Sequence, residues 1–261
     1  MIYAALTLWL LLLSFTGIGV YRLLMGLIGP KWTNLLLLPG TVVSEMAYIF
    51  GCLITGGEIR QAKLIDFSNA GDGLSHTEAT PKLKTIGPLI ASLMAVAACG
   101  AAILLVDRLL GKRVLRAFAL SGGGISLTLL PQDLPTSWAV LWDSAHHQLT
   151  LVRRMCETVG QLDWRQWQGP VFAYLAMCLS IRLTPARHNL RATLGAVLII
   201  SACVALTGLL WRNFADLIDD LWPLLTYVYA TVLTVLAVAL IARGVAALTA
   251  SLRAKTHAGH A

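Results

Sequence analysis

Charge is scarce in this sequence. Of its 261 residues only 13% are Asp, Glu, Lys or Arg, while 57% are apolar. A soluble domain carries about 25% charged and about 45–50% apolar residues, so the chain lacks the material for a wetted surface. That shortage excludes an ordinary soluble enzyme, a disordered protein and a collagen-like fibre. Paired cysteines are missing too. Cys52, Cys99, Cys156, Cys178 and Cys203 include no CxxC spacing, and all but Cys156 lie in apolar runs, where cysteine acts as a small hydrophobe. Neither a disulfide framework nor a metal knuckle is indicated. Gly122-Gly123-Gly124 lacks the lysine and spacing of a phosphate loop and reads as a close helix approach or a helix break. No Ser-His-Asp ordering stands out, and no cofactor is expected. The net charge of +7 comes without a basic-aromatic platform or zinc-finger spacing, so nucleic acid is not an expected partner.

What the chain has in quantity is hydrocarbon. Apolar segments at 2–28, 34–56, 85–107, 114–130, 168–183, 192–211 and 222–249 approach the roughly 20 residues that a helix needs to cross a bilayer. The expected fold is all-α: a polytopic membrane helix bundle of six or seven transmembrane helices forming a single integral membrane domain over 1–261. Residues 2–28 lack the basic start and small-residue cleavage site of a secretory signal and are read as a retained span. The polar stretch 57–84 contains Asn69-Ala70-Gly71-Asp72-Gly73, which is turn chemistry, and suits a hairpin or a small exposed loop.

Residues 131–165 form the longest polar stretch. After Pro131 and Pro135, apolar residues recur at Trp138, Leu141, Trp142, Ala145, Leu149, Val152, Cys156 and Val159. Steps of three and four give one apolar face of a helix, while Asp143, His146, His147, Thr150, Arg153, Arg154 and Glu157 fall largely elsewhere. An amphipathic helix lying in the membrane interface is expected. Sorting the basic residues into alternate loops puts 12 on one side, the first being Arg22 and the last Lys255, and 8 on the other, from Arg60 to Arg212. The denser set belongs in the cytoplasm, which implies an outside N-terminus and seven spans.

One constellation carries chemistry. Residues 39–48 read Pro39-Gly40-Thr41-Val42-Val43-Ser44-Glu45-Met46-Ala47-Tyr48, and the apolar run closes in Leu53-Ile54-Thr55-Gly56. A glutamate inside an apolar helix is costly and marks a site. The pattern resembles the zinc-site helix of intramembrane metalloproteases of the site-2 protease type, whose bacterial members show Pro-Gly-Thr, then His-Glu-x-x-His, then Leu-x-Thr-Gly. Ser44 and Tyr48 stand at the two histidine positions and Glu45 at the general-base position. The family's third ligand is an aspartate on a later span; here Thr184-Pro185-Ala186-Arg187-His188-Asn189 puts Asn189 there. Catalytic zinc takes three ligands from thiolate, imidazole or carboxylate, and Ser, Tyr and Asn supply none of these. The resemblance therefore implies a protease fold without its metal, in a bacterial inner membrane. It also places 57–84 in the cytosol, against the charge count, and both orientations stay open.

Weaker candidates are Asp143 with His146 and His147, better read as a solvated helix face, and Asp216, Asp219 and Asp220, read as an exposed acidic loop. His188 reads as interfacial, and His257 and His260 are too sparse for a metal tract. The expected function is a catalytically inactive, metalloprotease-like binding, scaffold or regulatory subunit. Its partners would be other integral membrane proteins or transmembrane helices, and the lipid bilayer. A transporter or channel subunit using Glu45, or an active protease with relocated metal ligands, are the alternatives. Glu45 itself is expected to find donors inside the bundle, with Thr41 and Tyr48 one helical turn to either side.

Overall fold

The computed structural model describes residues 2–56, 58–63, 76–80, 87–111, 138–183 and 214–258, with positions 114, 115, 118, 130, 131, 202, 204 and 206–208 between them. Helix α1 (Ile2–Ile28) is apolar throughout. Its few hydroxyls serve themselves: Ser14 donates to the Leu10 carbonyl and Thr16 to that of Leu12. Gly29, at φ 86°, ends this helix in a conformation that costs other residues a Cβ clash. Pro30 then opens the short α2 (Pro30–Leu36), a position where its missing N–H is no loss.

A bend of 75° separates α2 from α3 (Leu38–Ile54). Pro39 lies in the first turn of α3 and has no N–H to give back, so carbonyls at the end of α2 need donors from elsewhere. Helix α3 stops as sharply as it starts. The Thr55 hydroxyl donates to the carbonyls of Gly51 and Cys52. Gly56 takes φ 71°, and its N–H returns to Leu53, the pattern of a glycine C-cap.

Strands β1 (Glu58–Lys63) and β2 (His76–Thr80) follow. They pair antiparallel from Glu58 opposite Thr80 to Lys63 opposite His76, with an irregularity between Ile59 and Gln61. Of the two forms expected for 57–84, the hairpin-like one is present, so a small ribbon is added to the otherwise helical fold. Residues 69–73 of its expected turn lie outside the described residues.

The remaining helices are α4 (Gly87–Leu109), α5 (Trp138–Gly160), α6 (Gln168–Leu183) and α7 (Phe214–Ala258). Helices α3 and α4 pack antiparallel, with Tyr48, Cys52 and Ala91 forming a small core between them. Helices α1 and α7 run side by side in the same direction: Trp9 meets Tyr229 edge-on, Gly19 lies against Leu236, and Gly26 against Arg243. The larger core lies where α7 meets the rest. The Trp222 indole donates to the Leu130 carbonyl at 2.8 Å and that of Trp9 to Pro131 at 2.9 Å, while Phe118 sits edge-on to Tyr227.

Three helices are long and apolar enough to cross a membrane, spanning Tyr3–Ile28, Ile90–Leu109 and Ile218–Thr249, and the bent α2–α3 pair makes up to four. The expected count of six or seven is not reached among the described residues. Helix α6 has 16 residues, about 24 Å at 1.5 Å per residue, short of a hydrocarbon core about 30 Å thick. Most of 192–211 lies outside the described residues, as do Gly122-Gly123-Gly124. For 114–130, Phe118 and Leu130 both meet α7 within residues 222–227. Residues 119–129 between them lie outside the described residues.

Helix α5 covers the segment that periodicity marks as helical, and the packing shows which side of it meets the bundle. The residues it buries are Leu151, Arg154 and Met155, whereas Trp142 and Leu149 of the expected apolar face are 64% and 70% exposed. At about 100° per residue, the apolar stripe through Trp142, Leu149 and Cys156 lies about 150° around the helix from the line through Leu151, Met155 and Thr158. Periodicity shows that a stripe exists; it does not say that the stripe meets the bundle. The side turned to the bundle is a third, mixed stripe between the apolar and polar ones.

Two glycines set how closely the helices approach. A Cβ on Gly40 would lie 2.5 Å from the Cys178 carbonyl oxygen of α6, and one on Gly51 would lie 2.6 Å from Cα of Ala91 in α4. Backbone cannot yield as a side chain can, so Gly40→Ala and Gly51→Ala should each cost on the order of 1–3 kcal/mol. Gly244, on the exposed part of α7, has open space around it, so Gly244→Ala should be neutral or gain up to about 1 kcal/mol from helix propensity. Thermal melting of the three variants in detergent checks the contrast.

Candidate functional site

The residues singled out by the sequence pattern sit where α3, α4 and α6 converge. Tyr48 is 6% exposed and packs with Cys52 against Ala91, so the second degenerate ligand position faces α4. Ser44 and Glu45 are partly buried. The Thr41 hydroxyl, expected to serve Glu45, donates instead to the Leu37 carbonyl at 2.9 Å. Asn189 lies outside the described residues, as does His188.

Helix α6 supplies what periodicity did not reveal. Arg182 projects from its last turn into this region, its guanidinium 5.5 Å from the centre of the Tyr21 ring. The charge of Glu45 acts on it. Arg182 thus lies within electrostatic range of Glu45 as well as of Tyr21, a neighbour on another helix that the expectation of same-helix hydroxyls did not include. Arg182 Nε and the fully buried Ser180 hydroxyl have no hydrogen-bond partner among the described residues. A cation over an aromatic face gains about 0.5–2 kcal/mol depending on desolvation, and an opposite charge nearby offsets part of the cost of burial. The available signal was a pair of opposite charges, Glu45 and Arg182, each inside an apolar segment. Placing Arg182 with the basic span-end residues concealed it.

The bend is locked from the same helix. The Leu36 carbonyl accepts the Tyr174 hydroxyl at 2.8 Å and the Cys178 thiol at 3.1 Å. Tyr21 also donates to the Asn34 side chain at 3.2 Å, tying α1 to α2. Pro39 and Gly40 thus start α3 and admit α6, while Thr41 satisfies a carbonyl and Thr55 and Gly56 end the helix. The motif's flanks explain the helix without zinc. Its central residues, Ser44, Glu45 and Tyr48, are the part that helix punctuation leaves unexplained.

The weaker candidates separate clearly. Asp143 and His146 are exposed on α5, and the His146 ring approaches its own helix, 3.1 Å from the Trp142 carbonyl and edge-on to the Trp142 ring. Among the described residues no three His, Cys, Asp or Glu side chains cluster as a metal site would require. Asp216, Asp219 and Asp220 are not in a loop, as expected, but in the first two turns of α7. Carboxylates there favour the positive end of the helix dipole, which accounts for them without a ligand. His257 lies at the end of α7, and His260 lies outside the described residues. Comparison of the chain with protein-family models, with curated proteins and with solved structures gives no match.

A double-mutant cycle tests the coupling of α3 to α6. Glu45→Leu should cost on the order of 1–3 kcal/mol, by leaving Arg182 without its counter-charge, and Glu45→Gln should cost less. Combining Glu45→Leu with Arg182→Leu should recover part of the loss, giving a coupling energy of about 0.5–3 kcal/mol. Melting temperatures of the single and double variants measure it, and strictly additive losses would contradict the coupling.

Proposed function

We propose that this chain is a metal-free relative of the site-2 type intramembrane metalloproteases, acting as a binding or scaffold subunit that holds a partner transmembrane helix in a bacterial inner membrane. The observation that carries the proposal is the use of Glu45. The carboxylate at the general-base position of the degenerate motif is electrostatically coupled to Arg182, and the neighbouring Tyr48 is packed into the α3–α4 contact. A general base must be within reach of a water or substrate proton. A carboxylate coupled to a guanidinium is instead suited to joining helices. Ser44 and Tyr48 also have the wrong donor chemistry for a zinc ion.

Support for a partner-binding role comes from the outer surface of α3. Met46, Phe50, Leu53 and Ile54 are exposed at helical spacing, on the helix whose other sides are taken by α4 and α6. Helix association within a membrane relies on packing and close approach rather than on hydrophobic transfer, so an apolar face on a firmly anchored helix can hold either lipid or another helix. The same logic assigns α5 to the membrane interface. One flank of it meets the bundle, and its outer side carries Trp142 and Leu149 beside Arg153 and Glu157, the latter two joined by a 3.0 Å ion pair, a mixture suited to the boundary between lipid and water.

Three measurements test these assignments. Gentle detergent extraction followed by identification of co-purifying proteins should recover a membrane partner, and Phe50→Ala should weaken its retention without lowering the melting temperature. Elemental analysis should find far less than one zinc per chain; stoichiometric zinc would falsify the metal-free reading. For α5, cysteines placed at Arg153 and Glu157 should react with water-soluble reagents in a membrane without partners, and protection at both would argue against an interfacial helix.

A further inference from the structure

Helices α5, α6 and α7, with Val114, line a half-open cavity of about 170 Å³. Its walls include Met155 and Leu162 of α5, Phe172 and Ala176 of α6, and Tyr227 and Val235 of α7. Three threonines also reach it, and each has already spent its hydroxyl on its own helix: Thr158 on the Arg154 carbonyl, Thr231 on Tyr227 and Thr234 on Ala230. Water needs two to four polar partners to settle in a cavity; these hydroxyls have no proton left to give and the rest of the lining named above is apolar apart from Tyr227. An apolar cavity of about 150 Å³ stays dry and takes up a small hydrocarbon. The occupant that fits is a hydrocarbon chain.

The edge of the same region holds a charge. Arg154 lies one helical turn before Thr158 and is only 9% exposed. Its guanidinium sits 5.8 Å from the centre of the Phe118 ring, which in turn meets the Tyr227 ring of the cavity wall. Its Nη2 has no hydrogen-bond partner among the described residues. A buried guanidinium nitrogen without an acceptor is unfavourable, and its fork geometry suits a phosphate. Asp107, 6% exposed, is the buried acid of this end, and its carboxylate accepts the N–H of Leu115 at 3.0 Å.

We propose that this cavity is a binding site for an anionic glycerophospholipid, with one acyl chain between α5, α6 and α7 and the phosphate engaged by Arg154. The site rests on the membrane location of the chain but not on its descent from a protease or on its protein partner. A lipid so placed would fasten the edge of α5 to α6 and α7, filling space that the side chains leave open and supplying the acceptor that Arg154 lacks.

The test uses full-length protein in nanodiscs of phosphatidylcholine containing a minor fraction of phosphatidylglycerol, with lipids retained through detergent exchange counted by native mass spectrometry. Wild-type protein should retain phosphatidylglycerol over phosphatidylcholine by about tenfold, as one charge-assisted contact provides. Arg154→Gln should keep the lipid count but abolish that preference. Ala176→Leu, which fills the cavity from α6, should lower retention of both lipids. Should that variant fail to fold, Thr234→Leu fills the cavity from α7 and carries the same expectation. Glycerol phosphate, a headgroup without a chain, should not displace the lipid. Absence of retained lipid on wild type, an unchanged preference in Arg154→Gln, or displacement by glycerol phosphate would each overturn the proposal.

Discussion

The carbonyl of Leu36 is the constraint on which the arrangement around α3 depends. A 75° bend between two helices leaves backbone acceptors that a membrane interior cannot hydrate, and an unsatisfied polar group there costs several kcal/mol. Tyr174 and Cys178 answer that acceptor from α6, which fixes the height and rotation of α6 against the bend. Once α6 is pinned in that register, only a glycine fits at position 40 against the Cys178 carbonyl, and Arg182, one turn further on, reaches Tyr21. One break in a helix thus sets where a charge is placed on another.

That charge placement explains how Glu45 is tolerated. A lone carboxylate in hydrocarbon would give up its charge or find donors, and a lone guanidinium cannot give up its charge at all. Set on helices that the Leu36 carbonyl already holds together, each moderates the burial of the other. Because removing one member strands the other, the pair favours a single helix register more than it raises total stability. Helices α3, α4 and α6 pack together, while Met46, Phe50, Leu53 and Ile54 of α3 stay exposed.

The other half of the molecule is organised around α7. Its 45 residues would extend about 67 Å, more than twice the hydrocarbon thickness, and its first half takes most of the tertiary contacts. Trp222, Thr226 and Tyr227 hold Leu130 and Phe118, while beyond Ala239 almost every described residue is exposed. The aromatic and threonine-rich stretch from Trp222 to Thr234 therefore assembles this half, and the cavity lies beside it, against Met155, Thr158, Val159 and Leu162 of α5.

Hydropathy alone determined that this is a helical membrane protein and located α1, α4 and α7 within a few residues of their apolar cores, because long runs of leucine, alanine and valine satisfy their backbone in lipid in no other way. The segment 34–56 reads as one apolar run, and the 75° bend before α3 does not show in it, because the bend is held by donors from α6. The ribbon at 58–63 and 76–80 was legible from turn residues as one of two forms. What required the tertiary structure was every choice among faces and partners. The apolar stripe of α5 was visible as a period, but a period has no direction, and only the packing revealed that Leu151, Arg154 and Met155 turn inward. Glu45 announced itself as a site, but Arg182 is 137 positions away in sequence, and separation along the chain carries no record of distance in space. The acidic residues at 216–220 looked like a loop because charge usually means solvent; their place at the start of α7 is a consequence of a helix dipole that exists only once the helix has formed.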